Sequence, residues 1–125
     1  FKPRPINAEQ RFAFWRRWLL DSPQGWDESG RPGTVACSEK DLAPFRSGGP
    51  VLLYVGRYTA VKRLPLLIAA HARAAERIGG PLPLVLVGGH PGEWEGEHPL
   101  VSARRLGNRQ GSLPAGVRTS SSPRR

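Results

Sequence analysis

The stretch that decides the fold reads PVLLYVGRYTAVKRLPLLIAAHARAAERIGGPLPLVLVGG and covers residues 50–89. It contains two continuous apolar runs, residues 51–55 and residues 82–87. A short apolar run without polar alternation, bounded by Pro or Gly, is typical of a strand buried on both faces of a parallel sheet. We therefore predict two parallel strands, each buried on both faces.

The segment between the two runs predicts a helix over residues 65–77. Its leucines and alanines recur at the spacing of one helix face, Pro65 suits the first turn, and Gly79 with Gly80 suits the end. Parallel strands need a long crossover connection, so strand, helix and strand at this spacing predict one right-handed βαβ unit.

The segment before this unit, residues 1–49, predicts an N-terminal helix and a linker-like stretch. Asn7 and Gln10 have the spacing of a capping box and open an amphipathic helix over residues 8–20. Turn-forming residues dominate positions 22–31, which we interpret as a loop. A short helical signal follows near residues 39–45.

The segment after the second strand predicts a glycine-rich loop, a short helix near residues 99–106, and then a tail. Residues 107–125 contain no acidic residue and show no periodicity, so we predict a disordered basic tail. The predicted fold class is therefore α/β: a partial Rossmann-like βαβ unit over residues 50–106, with an N-terminal helix before it and the tail after it.

The composition limits the function classes. The 19 Lys and Arg against 10 Asp and Glu give a net charge of +9, which by itself suggests nucleic acid or an anionic membrane surface. All acidic residues lie at or before Glu97, however, so much of the excess positive charge belongs to the tail.

No stretch approaches the roughly 20 consecutive apolar residues that a membrane helix needs. The single cysteine, Cys37, predicts a reducing cytoplasm, and the absence of methionine leads us to expect a fragment.

The loop after the first strand has the composition of an anion cradle. Gly56 lets a phosphate approach the backbone, and Arg57 and Lys62 supply a planar fork and a point charge just before a helix. Gly88 and Gly89 end the second strand in the same way and are further candidates for donor-loop backbone. The alternative, a solvated basic loop, stays open on the charge pattern alone.

The loop after the second strand, residues 88–98, contains two histidines and three carboxylates. Their spacing matches no common metal-ligand motif, so the sequence predicts no metal site. Trp94 has two equal interpretations, as an apolar face for a sugar or nucleotide and as a plug for an interdomain surface. The charged and imidazole side chains of this loop are His90, Glu93, Glu95, Glu97 and His98.

Several other functions lack residue support. No Ser-His-Asp arrangement, Walker loop or GxGxxG motif is present. The run Trp15-Arg16-Arg17-Trp18 suggests a stacking platform for single-stranded nucleic acid. An amphipathic helix that buries Trp15 explains the run without a ligand, and we favour that interpretation. A small basic nucleic-acid-binding or interaction module stays as the alternative function.

The run VLLYVGRYTAVKRLPLLIAAHARA, followed by LPLVLVGG, resembles the retaining GT-B glycosyltransferases of the group 1, family 4 type, which include sucrose-phosphate synthase-like enzymes and mannosyltransferases. The resemblance covers residues 50–106. It consists of a buried strand, Gly-Arg, a lysine five residues on, a Leu-Leu-Ile-x-Ala helix, and an apolar strand that ends in Val-Gly.

The resemblance implies a hexosyltransferase whose carboxy-terminal domain binds a nucleotide-diphosphate sugar and transfers the sugar, with retention, to an unknown acceptor. Arg57 and Lys62 occupy the positions that hold the diphosphate in the family, which usually requires no metal. The family's acceptor domain and later acidic sugar-contact motif have no counterpart in these residues, so we expect the isolated chain to be inactive. The tail departs from the family's pattern near Gly107, and a frameshift there is our hypothesis for the departure.

Overall fold

A computed structural model of the chain describes residues 3–35, 37–46, 48–88, 90–108 and 117–121. After an N-terminal helical region that contains the first α-helix, three strands alternate with two further α-helices in the described residues. The helices are α1 (Ala8–Arg16), α2 (Leu64–Ile78) and α3 (Pro99–Asn108), and the strands are β1 (Leu52–Val55), β2 (Leu84–Gly88) and β3 (Val117–Ser121). Short helical turns cover Arg17–Asp21, Lys40–Arg46 and Ala60–Lys62.

The N-terminal helix begins where the sequence predicts. The Asn7 side chain accepts from the Gln10 N–H at 2.8 Å, and the Gln10 side chain accepts from the Asn7 N–H at 3.0 Å, which completes the predicted capping box. The predicted helix over residues 8–20 is divided, because α-helical geometry ends at Arg16 and a π-helical turn covers Arg17–Asp21.

The sheet has three parallel strands in the order β1-β2-β3. The helix α2 connects β1 to β2, and α3 connects β2 to β3. The predicted mixed α/β character and the parallel strand pair are confirmed. The prediction of disorder over residues 107–125 is wrong for residues 107–108, which end α3, and for β3. A parallel ladder is formed by backbone groups, so a polar segment with β-branched residues can join its edge. Residues 109–116 and 122–125 lie outside the described residues.

The helix α2 also follows its sequence signals. Pro65 lies in its first turn, and Gly79 ends it with φ of 69° while its N–H donates to the Ala75 carbonyl at 3.0 Å. Its buried face consists of Leu64, Ile68 and His71. The predicted short helix near residues 99–106 corresponds to α3.

The core lies on both faces of β2. Leu84 and Leu86 belong to one cluster, which α2, α3, Trp26 and Tyr58 complete. On the other face Val85 joins a second cluster from the N-terminal region, formed with Leu19, Cys37, Leu42 and Phe45. The strand β2 is therefore buried on both faces, as the sequence predicts.

For the strand β1, the prediction of burial on both faces is wrong. Leu52, Leu53 and Val55 are 40%, 57% and 66% exposed. The second cluster packs on Val85 and Val87 of β2 but leaves their β1 neighbours Leu53 and Val55 in solvent. The difference follows from position, because β2 lies in the middle of the described sheet and β1 lies at its edge.

Candidate functional site

The loops that follow β1 and β2 lie side by side at the carboxyl edge of the sheet. The Glu95 N–H donates to the Tyr58 carbonyl at 2.8 Å, and Tyr58 and Trp94 form an isolated parallel bridge. Carboxyl ends of adjacent parallel strands are where open α/β folds place their ligands. The two loops therefore form the candidate site.

Two adjoining cavities open between these loops. The larger has a volume of about 360 Å³ and the smaller about 170 Å³. Both are lined by Tyr58, Thr59 and Glu95. The larger is further lined by Arg57, His90, Gly92, Glu93 and Trp94, and the smaller by Ala60, Leu64, Pro65, Gly96 and Glu97. The larger volume is near the lower limit for small-molecule sites.

The two residues that the sequence predicts to bind the diphosphate lie in different positions relative to the cavities. Arg57 is exposed and lines the larger cavity, and its carbonyl accepts from the Tyr54 hydroxyl at 2.6 Å. Lys62 is exposed and ends the turn Ala60–Lys62, but it lines neither cavity. Arg63, with φ of 52°, then turns the chain into α2.

The glycines at the strand ends have packing roles. A Cβ on Gly88 would lie 2.4 Å from Tyr58 Cζ, so the Tyr58 ring occupies the space that a side chain would need. A Cβ on Gly56 would lie 2.8 Å from the Tyr54 hydroxyl. Close packing of tyrosines therefore explains both glycines without a ligand, and Gly89 lies outside the described residues.

A carboxylate already occupies part of the predicted anion cradle. Glu95 Oε1 accepts from the Ala60 N–H at 2.9 Å, so the amide that begins the turn Ala60–Lys62 is bonded to a side chain. Glu97 accepts from the Ser102 hydroxyl and from Arg105, and these bonds lower the pKa of its carboxyl. The cleft thus combines the Arg57 cation with carboxylates that must be neutralised or displaced when an anion binds.

An aromatic cluster supports the floor of the site. Trp26 stacks on Tyr58 with ring centroids 5.4 Å apart, and His98 lies 4.9 Å from Trp26 and 5.2 Å from Trp94. Tyr58 also donates its buried hydroxyl to the Leu86 carbonyl at 2.8 Å, and burial raises the pKa of that hydroxyl. Trp94 is half-buried, packs on this cluster and lines the larger cavity.

His98 has a structural role at the start of α3. Its Nδ1 accepts from the Leu100 N–H at 3.1 Å, and its carbonyl accepts from the N–H groups of Val101 and Ser102. Burial lowers the pKa of the imidazole. Within the described residues no group of three His, Cys, Asp or Glu side chains could hold a metal ion.

No pattern in the sequence predicts that Trp26 belongs to the core. It lies in the predicted loop of residues 22–31, yet it is fully buried beneath the site. The only signal for this was a large aromatic residue inside a stretch of turn-forming residues. The loop of residues 22–31 also contacts the site at Gly30, where an added Cβ would lie 2.9 Å from the Gly92 Cα.

The basic and aromatic helix face is engaged within the chain. Trp15 packs on Phe45 with ring centroids 5.4 Å apart, and Arg16 forms ion pairs with Glu39 and Asp21. The predicted burial of Trp15 is wrong in degree, because Trp15 is half-buried and no residue of α1 is buried. The contacts of Trp15 and Arg16 nevertheless lie within the chain, which favours a packed helix over a stacking platform.

Among the described helices, none has both the length and the apolar character to cross a membrane.

A third cavity, of about 320 Å³, lies at the opposite end of β2. It is lined by the end of α2 and the approach to β2, including His71, Ala75 and Leu82. Among the described residues that line it there is no Lys or Arg, so these residues offer no cation to a phosphate.

No family of known proteins, curated protein or solved structure matches the chain.

Proposed function

We propose that this chain binds the nucleoside diphosphate part of a nucleotide sugar, as the donor-binding portion of a retaining GT-B glycosyltransferase. The observation that carries the proposal is the cleft at the carboxyl ends of two adjacent parallel strands, with Arg57 on its wall. The βαβαβ order of the described elements supports this proposal, because neighbouring strands are consecutive in sequence in each half of a Rossmann-like domain too.

Arg57 has the chemistry that a diphosphate needs. A guanidinium presents a planar fork that matches phosphate oxygens, and each such charged hydrogen bond contributes about 1.5–3 kcal/mol. Neutralising the diphosphate also stabilises it as a leaving group, which lowers the barrier to breaking the anomeric bond. Lys62, exposed on the same loop, adds a second cation outside the cavity. Trp94 offers an apolar ring to the base or the sugar.

Glu95 opposes this binding in the state described. Its carboxylate lines both cavities and accepts the Ala60 N–H, so a diphosphate in either cavity faces a like charge. Replacing Glu95 by Gln keeps an acceptor for the amide and removes the charge. We therefore expect Glu95→Gln to bind uridine or guanosine diphosphate a few times more tightly, by roughly 0.5–1 kcal/mol for an exposed charge.

Calorimetric titration with uridine diphosphate and guanosine diphosphate tests the proposal. Arg57→Ala is expected to weaken binding by about tenfold or more, because one charged hydrogen bond is lost. Arg77→Ala is the matched control, since it removes the same charge from an exposed position in the last turn of α2. No binding to the parent chain, or equal effects of the two substitutions, would overturn the proposal.

A further inference from the structure

Trp26 joins the N-terminal segment to both loops of the candidate site. It is fully buried, and its ring stacks on that of Tyr58, with centroids 5.4 Å apart and an interplanar angle of 19°. Its ring also lies 5.8 Å from that of Trp94, tilted by 50°. Tyr58 belongs to the loop after β1 and Trp94 to the loop after β2. One side chain from outside the βαβ unit therefore contacts both loops.

Other neighbours also restrict the orientation of the Trp94 ring. His98, just before α3, lies edge-on to it, with centroids 5.2 Å apart. A Cβ on Gly30 would lie 3.8 Å from Trp94 Cζ3, which places the N-terminal segment against the ring a second time. The adjacent backbone is held as well, because the Glu95 N–H donates to the Tyr58 carbonyl at 2.8 Å. Trp94 is nevertheless only half-buried and lines the larger cavity.

We propose that Trp94 is the stacking platform for the nucleobase of the bound nucleotide and that Trp26 is its positioning residue, an inference that rests on the proposed function. A base stacks through one flat face, so it benefits from an aromatic ring whose orientation is fixed before binding. A pyranose ring is puckered and presents no such face, so the fixed plane favours the base over the sugar. Trp26 lines neither cavity and acts through Trp94.

Arg57 and Trp94 line the same cavity and suit different parts of one ligand. The guanidinium binds phosphate oxygens through charged hydrogen bonds, whereas the indole offers a π-face. Every base has a π-face, so the platform adds affinity for nucleotides without selecting one base. Binding therefore divides into a diphosphate part that depends on Arg57 and a base part that depends on Trp94 and Trp26.

Titrations of the full chain with uridine diphosphate and with inorganic pyrophosphate, followed by amide-resolved NMR, separate the two parts. Trp94→Ala should weaken binding of uridine diphosphate about tenfold and leave binding of pyrophosphate unchanged, because only the stacking contact is lost. Trp26→Leu should have the same selectivity and a smaller effect of about threefold, since Trp94 keeps its ring but loses the neighbour that orients it. Trp26→Phe keeps a ring against Tyr58 and should restore most of that loss.

Trp15→Leu is the matched control. It removes a half-buried indole that packs on Phe45 in the other core cluster, and Trp15 lines neither cavity. The ratio of the two affinities should therefore stay unchanged. A merely structural role of Trp26 would weaken both ligands by the same factor in Trp26→Leu, and that result would overturn the positioning role. An equal change of the ratio in Trp15→Leu would overturn it too.

The ligand-free chain gives a second measurement. The heteronuclear NOE of the Trp94 indole N–H, which reports picosecond-to-nanosecond mobility, should fall in Trp26→Leu and stay unchanged in Trp15→Leu. An unchanged value in Trp26→Leu would contradict the positioning role. Binding of uridine diphosphate that requires Arg57 but tolerates Trp94→Ala would overturn the base platform and leave the proposed function intact. A parent chain that binds neither ligand would overturn both.

Discussion

The strands β1 and β2 have nearly the same apolar sequence but opposite environments. Leu52–Val55 reads LLYV, Leu84–Gly88 begins LVLV, and their first four positions pair one to one. Val85 is 1% exposed, whereas Leu53, which pairs with it on the same face, is 57% exposed. Sequence composition thus indicates that a segment can be buried, while its position in the sheet decides whether it is. The energetic consequences of this difference can be measured.

The largest expected difference comes from truncating one leucine in each strand. Leu86→Ala should lower the free energy of unfolding by about 3 kcal/mol, because it removes buried contacts and leaves a cavity between α2 and the sheet. Leu53→Ala should cost less than about 1 kcal/mol, since most of that side chain is already in water. Urea denaturation of both variants checks the difference, and equal costs would contradict the described burial.

The glycines that follow the two strands should both resist substitution, but for different reasons. Gly88→Ala would push a methyl group into the Tyr58 ring, so we expect a cost of about 2 kcal/mol. Gly56→Ala would meet the Tyr54 hydroxyl and Cζ at 2.8 and 3.2 Å, and its φ of 158° is one that residues with a side chain rarely adopt. Unfolding curves should therefore show a loss for both substitutions, and only the loss of Gly88→Ala should depend on Tyr58. If combining it with Tyr58→Ala cost the full sum of the two changes, the ring contact would not be its cause.

Removing the hydroxyl group of Tyr58 or Tyr54 should have a smaller effect on the free energy of unfolding. Tyr58→Phe should cost about 1 kcal/mol, because the Leu86 carbonyl loses a buried hydrogen-bond donor. Tyr54→Phe removes a more exposed hydrogen bond to the Arg57 carbonyl and should cost clearly less. Thermal or urea unfolding of the pair checks this order, and a larger cost for Tyr54→Phe would contradict it.

The smallest expected effect is a pH dependence from His98. Burial lowers its pKa below the usual 6.5, although Glu28 and Asp27 partly oppose the shift. Below 6.5 the unfolded chain therefore binds more protons, so this contribution to stability is present above pH 6.5 and is lost as the pH falls.

An asparagine can replace the His98 cap without titrating. His98→Asn should therefore flatten the change in unfolding free energy between about pH 7.5 and about pH 5.5. An unchanged slope in His98→Asn would exclude His98 as its source.

Much of the fold follows from local sequence signals. The capping box at Asn7, the first-turn Pro65 and the terminal Gly79 each determine a helix end through nearby atoms, so the start of α1 and both ends of α2 lie close to the predicted residues. The end of α1 has no such signal, and α-helical geometry stops at Arg16, four residues before the predicted end. The strand β3 has no apolar run and depends on backbone pairing with β2, which the sequence pattern does not reveal. The exposure of β1 depends on which elements cover it, and this too is a long-range property.

The candidate site divides in the same way. Arg57 could be predicted because its place after an apolar strand puts it at the carboxyl edge of the sheet. The bond from the Ala60 N–H to Glu95 and the burial of Trp26 join residues that are distant in sequence. Neither contact has a periodic pattern, so both required the structure.

Amide-resolved NMR titration with uridine diphosphate tests the central claim most directly, namely that the cleft after β1 and β2 binds a nucleoside diphosphate. We predict saturable shifts at Arg57, Thr59, Trp94 and Glu95, which line the larger cavity. Arg57→Ala should reduce the affinity for uridine diphosphate that these shifts report, without altering the spectrum elsewhere. The absence of shifts, or shifts confined to the cavity beside His71 and Leu82, would contradict the proposed function.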